Sequence, residues 1–382
     1  MRTVYLDYNA TTPLDEGVKE AMLPFFGEVY GNPSSVHHVG QRARAALDES
    51  RERVSSVFSC KPSEIIFTSG ATESCNHAII GGAFLRQEKG RHIVTSQIEH
   101  HAVLHACEYL EKNHGFEISF VPPDVQGLVS KDAIIDAVRA DTILVSLMAA
   151  NNEVGTIQPV SDVGEFCSEK GILFHSDAAQ FFGKLHFSKI SDFSADLISL
   201  CPHKFYGPKG AGLLFVKSPL ILPPLIHGGS HESERRAGTE NLCSIVGLSV
   251  AVEKFLLNPV FSSPVISSFA SQLISLCNSI EGVSFRGHPE NRLSNTVAFS
   301  VAVADSISLL SGLDLEGFCA SSGSACSSGS VSPSHVLSSM GVPDNEANSL
   351  IRFSLGRETS SFDIESLIIS LPNIINRVRL SP

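Results

Sequence analysis

The chain has 382 residues, 43% of them hydrophobic and 18% charged, a balance that excludes a disordered or fibrous protein and leaves room for two domains. A formal net charge of −12 provides no basic footprint for phosphate backbones or anionic lipid, so neither nucleic acid nor a membrane is an expected partner. Nine cysteines, none in a C-x-x-C pair or at zinc spacing, exclude a disulfide framework and leave no expected metal site, while leaving room for one reactive thiol.

The opening MRTVYLDYNATTPLD carries Asp7 inside its apolar run, so it reads as neither a signal peptide nor a transit segment, and a cytoplasmic address is expected. From about residue 15 to 250, amphipathic stretches alternate with short apolar runs bounded by Gly, Pro or polar turns. Helices are predicted at 38–58, 72–89, 100–114 and 160–170. Strands are predicted at 92–97, 118–122, 142–149, 171–177, 196–200 and 211–217. This order predicts an α/β fold with a mostly parallel sheet covered by helices on both faces and a ligand site at the carboxyl ends of its strands.

Four segments at such ends carry candidate chemistry. In FTSGATES, Ser69, Gly70, Ala71 and Thr72 lie between a strand and a helix start, where free amides and the helix dipole bind phosphate; a plain capped helix would look similar. In SQIEHHAV, His100 and His101 follow a strand, where an imidazole can stack on a flat ring and move protons, or simply be structural. GILFHSDAAQ ends an apolar strand at Asp177, with Gln180 three residues on; a carboxylate there can pair with a protonated pyridine nitrogen or cap a helix. In SLCPHKFYGPKGAG, Lys204 follows His203 at a strand end, where a desolvated amine can form a Schiff base with an aldehyde such as pyridoxal phosphate; taken alone it is an ordinary surface lysine.

After about 255 the texture turns to Ser-rich helices, a strand at 296–303, a Gly/Ser loop around 321–330 and two final helices. The predicted division is a large domain over 13–255 and a smaller α+β domain made of 1–12 and 256–382, the latter carrying a loop at about 319–332 with Cys326 in SSGSACSSGS. Small polar neighbours leave this thiol exposed, and a nucleophile that visits a site and then delivers cargo needs a mobile tether.

Taken together, YLDYNATTP, GNPSSVHHVG, FTSGATES, MAANNEVGTIQP, HSDAAQ, HKFYGPKGAG, RRAGTEN, SSGSAC and IRFSLGR resemble, in order and spacing over nearly the whole chain, the cysteine desulfurases of the NifS/IscS family. The resemblance implies the pyridoxal-phosphate-dependent transferase fold of type I. It also implies Lys204 as the Schiff-base lysine, Asp177 on the pyridine nitrogen, Gln180 on the ring hydroxyl and His100 as the stacking acid/base. Ala71, Thr72 and His203 would hold phosphate, Asn152 and Arg352 would grip the substrate carboxylate, and Thr239 would reach the phosphate of the other subunit of a homodimer. Cys326 would attack the sulfur of L-cysteine, leaving L-alanine and a persulfide for an acceptor protein such as an iron–sulfur scaffold.

Two departures from the family stand out. Cys201 replaces a phosphate-binding serine three residues before Lys204, which predicts looser cofactor binding because a thiol is a weaker donor. His231 and Glu234 occupy positions where the family usually has glutamine and glycine. A selenocysteine lyase, an aminotransferase and a non-catalytic relative of the same fold are the alternative readings.

Overall fold

The computed structural model describes residues 2–323 and 333–379. Among these, twelve strands follow in chain order: β1 (Val4–Tyr5), β2 (Ile65–Thr68), β3 (His92–Ser96), β4 (Glu117–Val121), β5 (Thr142–Ser146), β6 (Leu173–Asp177), β7 (Leu197–Leu200), β8 (Gly212–Val216), β9 (Val283–Arg286), β10 (Thr296–Val301), β11 (Phe318–Cys319) and β12 (Ile351–Ser354).

Seven strands form one sheet in the order β2-β8-β7-β6-β5-β3-β4. The runs IIFT, TILVS, LISL and GLLFV are buried at every residue, as strands covered on both faces require. Strands β4, β3, β5, β6 and β7 are parallel neighbours, whereas β8 runs antiparallel to both β7 and β2. Strand β2 therefore points the same way as β7, and the carboxyl ends of β2, β3, β5, β6 and β7 share one edge. Chain order reverses between β3 and β5, because β4 lies outside β3, and a crevice opens at such a reversal.

The helix His38–Phe58 turns Ala43, Leu47, Val54 and Phe58 inward along one face and packs against the helix Leu242–Phe255. The apolar stretch 242–279 is long enough to cross a bilayer by composition, but it is broken into the helices Leu242–Phe255 and Pro264–Ser279, and most of its most apolar part is buried.

A second core gathers Leu273, Phe299, Phe353, Leu367 and Ile374 around a three-stranded antiparallel sheet in the order β12-β10-β9. Strand β1 pairs in parallel with β11, so Val4 and Leu6 join this second core while Tyr8 belongs to the first.

Two elements differ from expectation. The predicted helix 72–89 is a helix Ala71–Asn76, a widened π turn His77–Gly81 and a helix Gly82–Arg86, with His77 Nε2 3.0 Å from Pro223 O. The two final helices are three, His335–Ser339, Asp344–Ala347 and Ser361–Arg379, with β12 between the last two. Four residues, IRFS, are too few to show a strand period between helical patterns.

Candidate active site

At the shared carboxyl edge lies a cavity of 430 Å³ lined by Ala71, Thr72, His100, Asn152, Asp177, Gln180, His203, Lys204 and Arg352, residues scattered over 282 positions of the chain from 71 to 352. Thr239 does not line it. It borders an adjoining cleft of 160 Å³ with Glu232 and Arg236, the two sharing Ser69 and Gly210. Cys326 lies outside the described residues.

Each strand end sets its side chain by a local bond. Gly70 caps the helix Ala71–Asn76 in an extended conformation (φ 164°), presenting the first amides to the cavity. His100 is the N-cap of the helix His101–His114, its Nδ1 accepting from Ala102 N at 3.1 Å. Asp177 ends β6 and accepts from Ala179 N at 2.9 Å. Lys204 closes a short turn after β7, donating from Nζ to Asn9 O at 2.9 Å and Ala10 O at 2.8 Å; neither acceptor is charged. Arg352 comes from β12 of the three-stranded sheet and is 2% exposed. Its Nη2 donates to Asp7 Oδ1 at 2.8 Å and its Nη1 to Asn152 O at 2.7 Å, while Nε has no partner.

The electrostatics favour neutral acid–base groups. Burial pushes the Lys204 amine below its usual range; Cys201 opposes the shift and Arg352 adds to it. Burial also lowers His100, against the pull of Asp177, and takes His203 down to about 4, aided by Lys204. His175, one layer behind Asp177, is pushed to about 4 by burial and sits between Ser146 Oγ at 2.8 Å and Ser199 Oγ at 3.0 Å. Cys201 faces the cavity as a thiol, since burial raises it to about 11. Burial raises every other described cysteine too, so among the described residues no thiol is disposed to ionise near neutral pH. Nor do the described residues contain a group of three or more His, Cys, Asp or Glu side chains arranged to hold a metal ion.

The described residues that flank 324–332 bond to Arg352 on one side and to Glu153 and Glu99 on the other. Ser321 exchanges backbone bonds with Arg352, and Arg352 Nη1 donates to Gly323 O at 3.4 Å. On the far side Ser334 Oγ donates to Glu153 Oε2 at 2.5 Å and His335 Nε2 to Glu99 O at 3.1 Å.

Three residues of the site escaped the sequence reading. Asn9 is 1% exposed and bonds both Lys204 and Gln180; it stands inside YLDYNATTP, but an asparagine there carries no period or charge to mark it. Lys184 is 1% exposed, and its only signal is a lysine in the apolar run QFFGKLHF four residues after Gln180. Glu99 is fully buried, its Oε1 accepting from Ser96 Oγ at 2.7 Å and Met148 N at 2.8 Å, and burial pushes its carboxyl up to about 8. Its neighbour His100 drew attention and it did not.

A profile of the class-V aminotransferase family matches residues 4–367. A cysteine desulfurase IscS of Dictyoglomus turgidum is 46% identical over 383 aligned residues, covering 100% of this chain and 97% of the relative. A solved NifS-like protein superposes with a TM-score of 0.91 at 37% identity, covering 98% of this chain and 100% of that one. SspA in complex with cysteine superposes with a TM-score of 0.81 at 38% identity, covering 94% of this chain and 100% of that one.

Proposed function

The chain belongs to the class-V aminotransferase family, and from its 46% identity to a cysteine desulfurase over its whole length we infer that it is a cysteine desulfurase, taking sulfur from L-cysteine and leaving L-alanine. The observation that carries this reading is Lys204: a half-buried amine at a strand end, held by two backbone carbonyls and kept toward its neutral form, in a cavity that also presents a carboxylate, an imidazole and the amides of a helix start.

That set of donors and acceptors fits pyridoxal phosphate, which when bound supplies an electron sink for the α-carbon of an amino acid. Lys204 would hold the aldehyde carbon through Nζ, and its amine, kept toward the neutral form, would serve as the base for the α-proton. Asp177 would hold the pyridine nitrogen and Gln180 the ring hydroxyl, while His100 would stack on the ring and move protons. The amides at Ala71 and Thr72, with His203, would hold the phosphate, and Thr239 would complete that site in a second copy of the chain. Asn152 and Arg352 orient the substrate carboxylate; with Nη2 held by Asp7 and Nη1 by Asn152 O, the buried Nε of Arg352 is left without an acceptor, and a carboxylate oxygen would satisfy it.

Cys326 accepts the sulfur as a persulfide and passes it to an acceptor protein, such as a scaffold for iron–sulfur clusters. Two facts support this. Cys326 is three residues beyond Gly323, which touches Arg352, and three extended residues reach about 10 Å. The eight described cysteines are all held as thiols by burial.

Protein supplied with pyridoxal phosphate and L-cysteine should form alanine, and Lys204→Ala should bring this to background. Keto acid in place of alanine would instead indicate an aminotransferase. Faster turnover of selenocysteine, indifferent to Cys326→Ala, would indicate the lyase.

A further inference from the structure

Lys184 sits below the floor of the cavity and takes no part in the chemistry above. The turn that carries it follows β6 directly, and Gly183 makes the approach possible: at φ +77° it lies so close to Phe205 that a Cβ would come within 2.3 Å of the Phe205 Cβ. The Lys184 side chain is sealed from solvent, with the Phe261 ring 5.6 Å from Nζ. No carboxylate forms an ion pair with it among the described residues. Burial, with Lys204 and Arg352 as like-charged neighbours, drives the amine well below its usual range. A neutral amine has two N–H groups, and two carbonyl oxygens meet them: Asn9 Oδ1 at 2.5 Å and Gln180 Oε1.

The consequence lies in the orientation of the Gln180 carboxamide. An amide offers an oxygen on one side and an NH2 on the other, and a donor beneath the oxygen decides which side faces up. Gln180 Oε1 points down to Lys184, and Nε2 is then committed upward, where one N–H donates to Asn9 O at 3.0 Å and the other is available to the cavity. Asn9 is pinned from the same side: Oδ1 accepts from Lys184 and from Asn295 Nδ2 at 3.2 Å, and Nδ2 donates to Thr296 Oγ1 at 2.9 Å.

We propose that Lys184 is a positioning residue: by donating to Gln180 Oε1 and Asn9 Oδ1 it keeps an N–H of Gln180 turned toward the ring oxygen of the bound cofactor. This rests on the pyridoxal phosphate reading. An N–H there favours the ionised ring oxygen and so lowers the pH at which the cofactor's imine loses its proton. Losing the orientation raises that pH.

The test is the pH midpoint of the visible absorption band of the pyridoxal-phosphate-loaded protein, with no substrate present. Lys184→Met, which keeps the length and removes the donors, should raise the midpoint by about one unit, a roughly tenfold change in the proton equilibrium. In a Gln180→Ala background the same substitution should move it by less than about a third of that, because the amide it orients is gone. Lys184→Gln, which keeps a carboxamide N–H donor, should give an intermediate rise and serves the same purpose if Lys184→Met does not fold. An unchanged midpoint in the folded variants would overturn the role of Lys184 alone. Equal shifts with and without Gln180 would also overturn it, leaving Lys184 as packing. If the parent protein shows no visible band at all, the cofactor reading falls and this inference falls with it.

Discussion

At the scale of single residues, burial decides which groups carry charge. Lys204 is poised because two peptide carbonyls, and no carboxylate, receive its amine, so nothing holds it as an ammonium against the cost of burial. Glu99 shows the same rule for an acid, with Oε2 lacking any partner and the carboxyl raised to about 8. Its folded-state pKa lies above the unfolded value near ~4.3. The native protein therefore keeps a proton that the unfolded chain gives up, and stability is lost as pH rises from about 4.5 toward about 8. Glu99→Gln keeps an oxygen for Ser96 and Met148 and cannot ionise. Denaturant midpoints at pH 5 and pH 8 should show the variant gaining on the parent at the higher pH; a difference independent of pH would mean that Glu99 is already charged. None of this was legible in SQIEHHAV, where the histidines drew attention and burial, the deciding quantity, was not yet known.

At the scale of elements, the helices 38–58 and 160–170 and the six strands of the predicted series are readable because each has a clear period or a buried apolar run between turn residues. The π turn at 77–81 and the four-residue β12 were not, because a widened turn leaves the helical period nearly intact and a short strand has none. The loop 228–241 is the most instructive departure. Glu232, Ser233 and Glu234 all lie at positive φ, 49°, 57° and 67°, a conformation that glycine adopts freely and other residues do not. The turn is held by the buried Glu232 carboxylate, which accepts from Arg51 Nη2 at 2.6 Å and Phe67 N at 3.0 Å, and by Arg236, which grips Glu73 at 2.8 Å. The expected difference from the family at 234, glutamate for glycine, thus falls on a left-handed residue. Glu234→Gly should raise stability by up to ~1 kcal/mol, the Cβ penalty less the extra entropy of glycine in the unfolded chain, read as a higher denaturant midpoint. A lower midpoint would mean that the glutamate side chain contributes more than its backbone costs. Gly183→Ala is the opposite case and should cost roughly 2–4 kcal/mol, through positive φ and the clash with Phe205 together; a loss below ~1 kcal/mol would contradict so close an approach.

At the scale of the whole molecule, the site is assembled where two cores meet. Residues 7–15 cross from one to the other: Asp7 pairs with Arg352 of β12, Asn9 ties Thr296 of β10 to Lys204, and Asp15 receives Lys254 at 2.6 Å and Arg357 at 2.8 Å. The alternation of helix and strand made the large sheet and its carboxyl-edge crevice legible, along with the residues at strand ends. The bonds that cross between the cores were not legible, because partners such as Asn9 and Lys184 are 175 residues apart and neither carries a pattern of its own. The described residues bring Lys204, His100, Asp177, Gln180 and Arg352 to one cavity, and burial raises all eight described cysteines. The most direct measurement is intact mass after the pyridoxal-phosphate-loaded protein meets L-cysteine without added reductant. The prediction is an adduct of about 32 Da, one sulfur atom, on Cys326, accompanied by alanine and absent from Cys326→Ala. No adduct and no alanine from protein that holds its cofactor would contradict the assignment as a cysteine desulfurase.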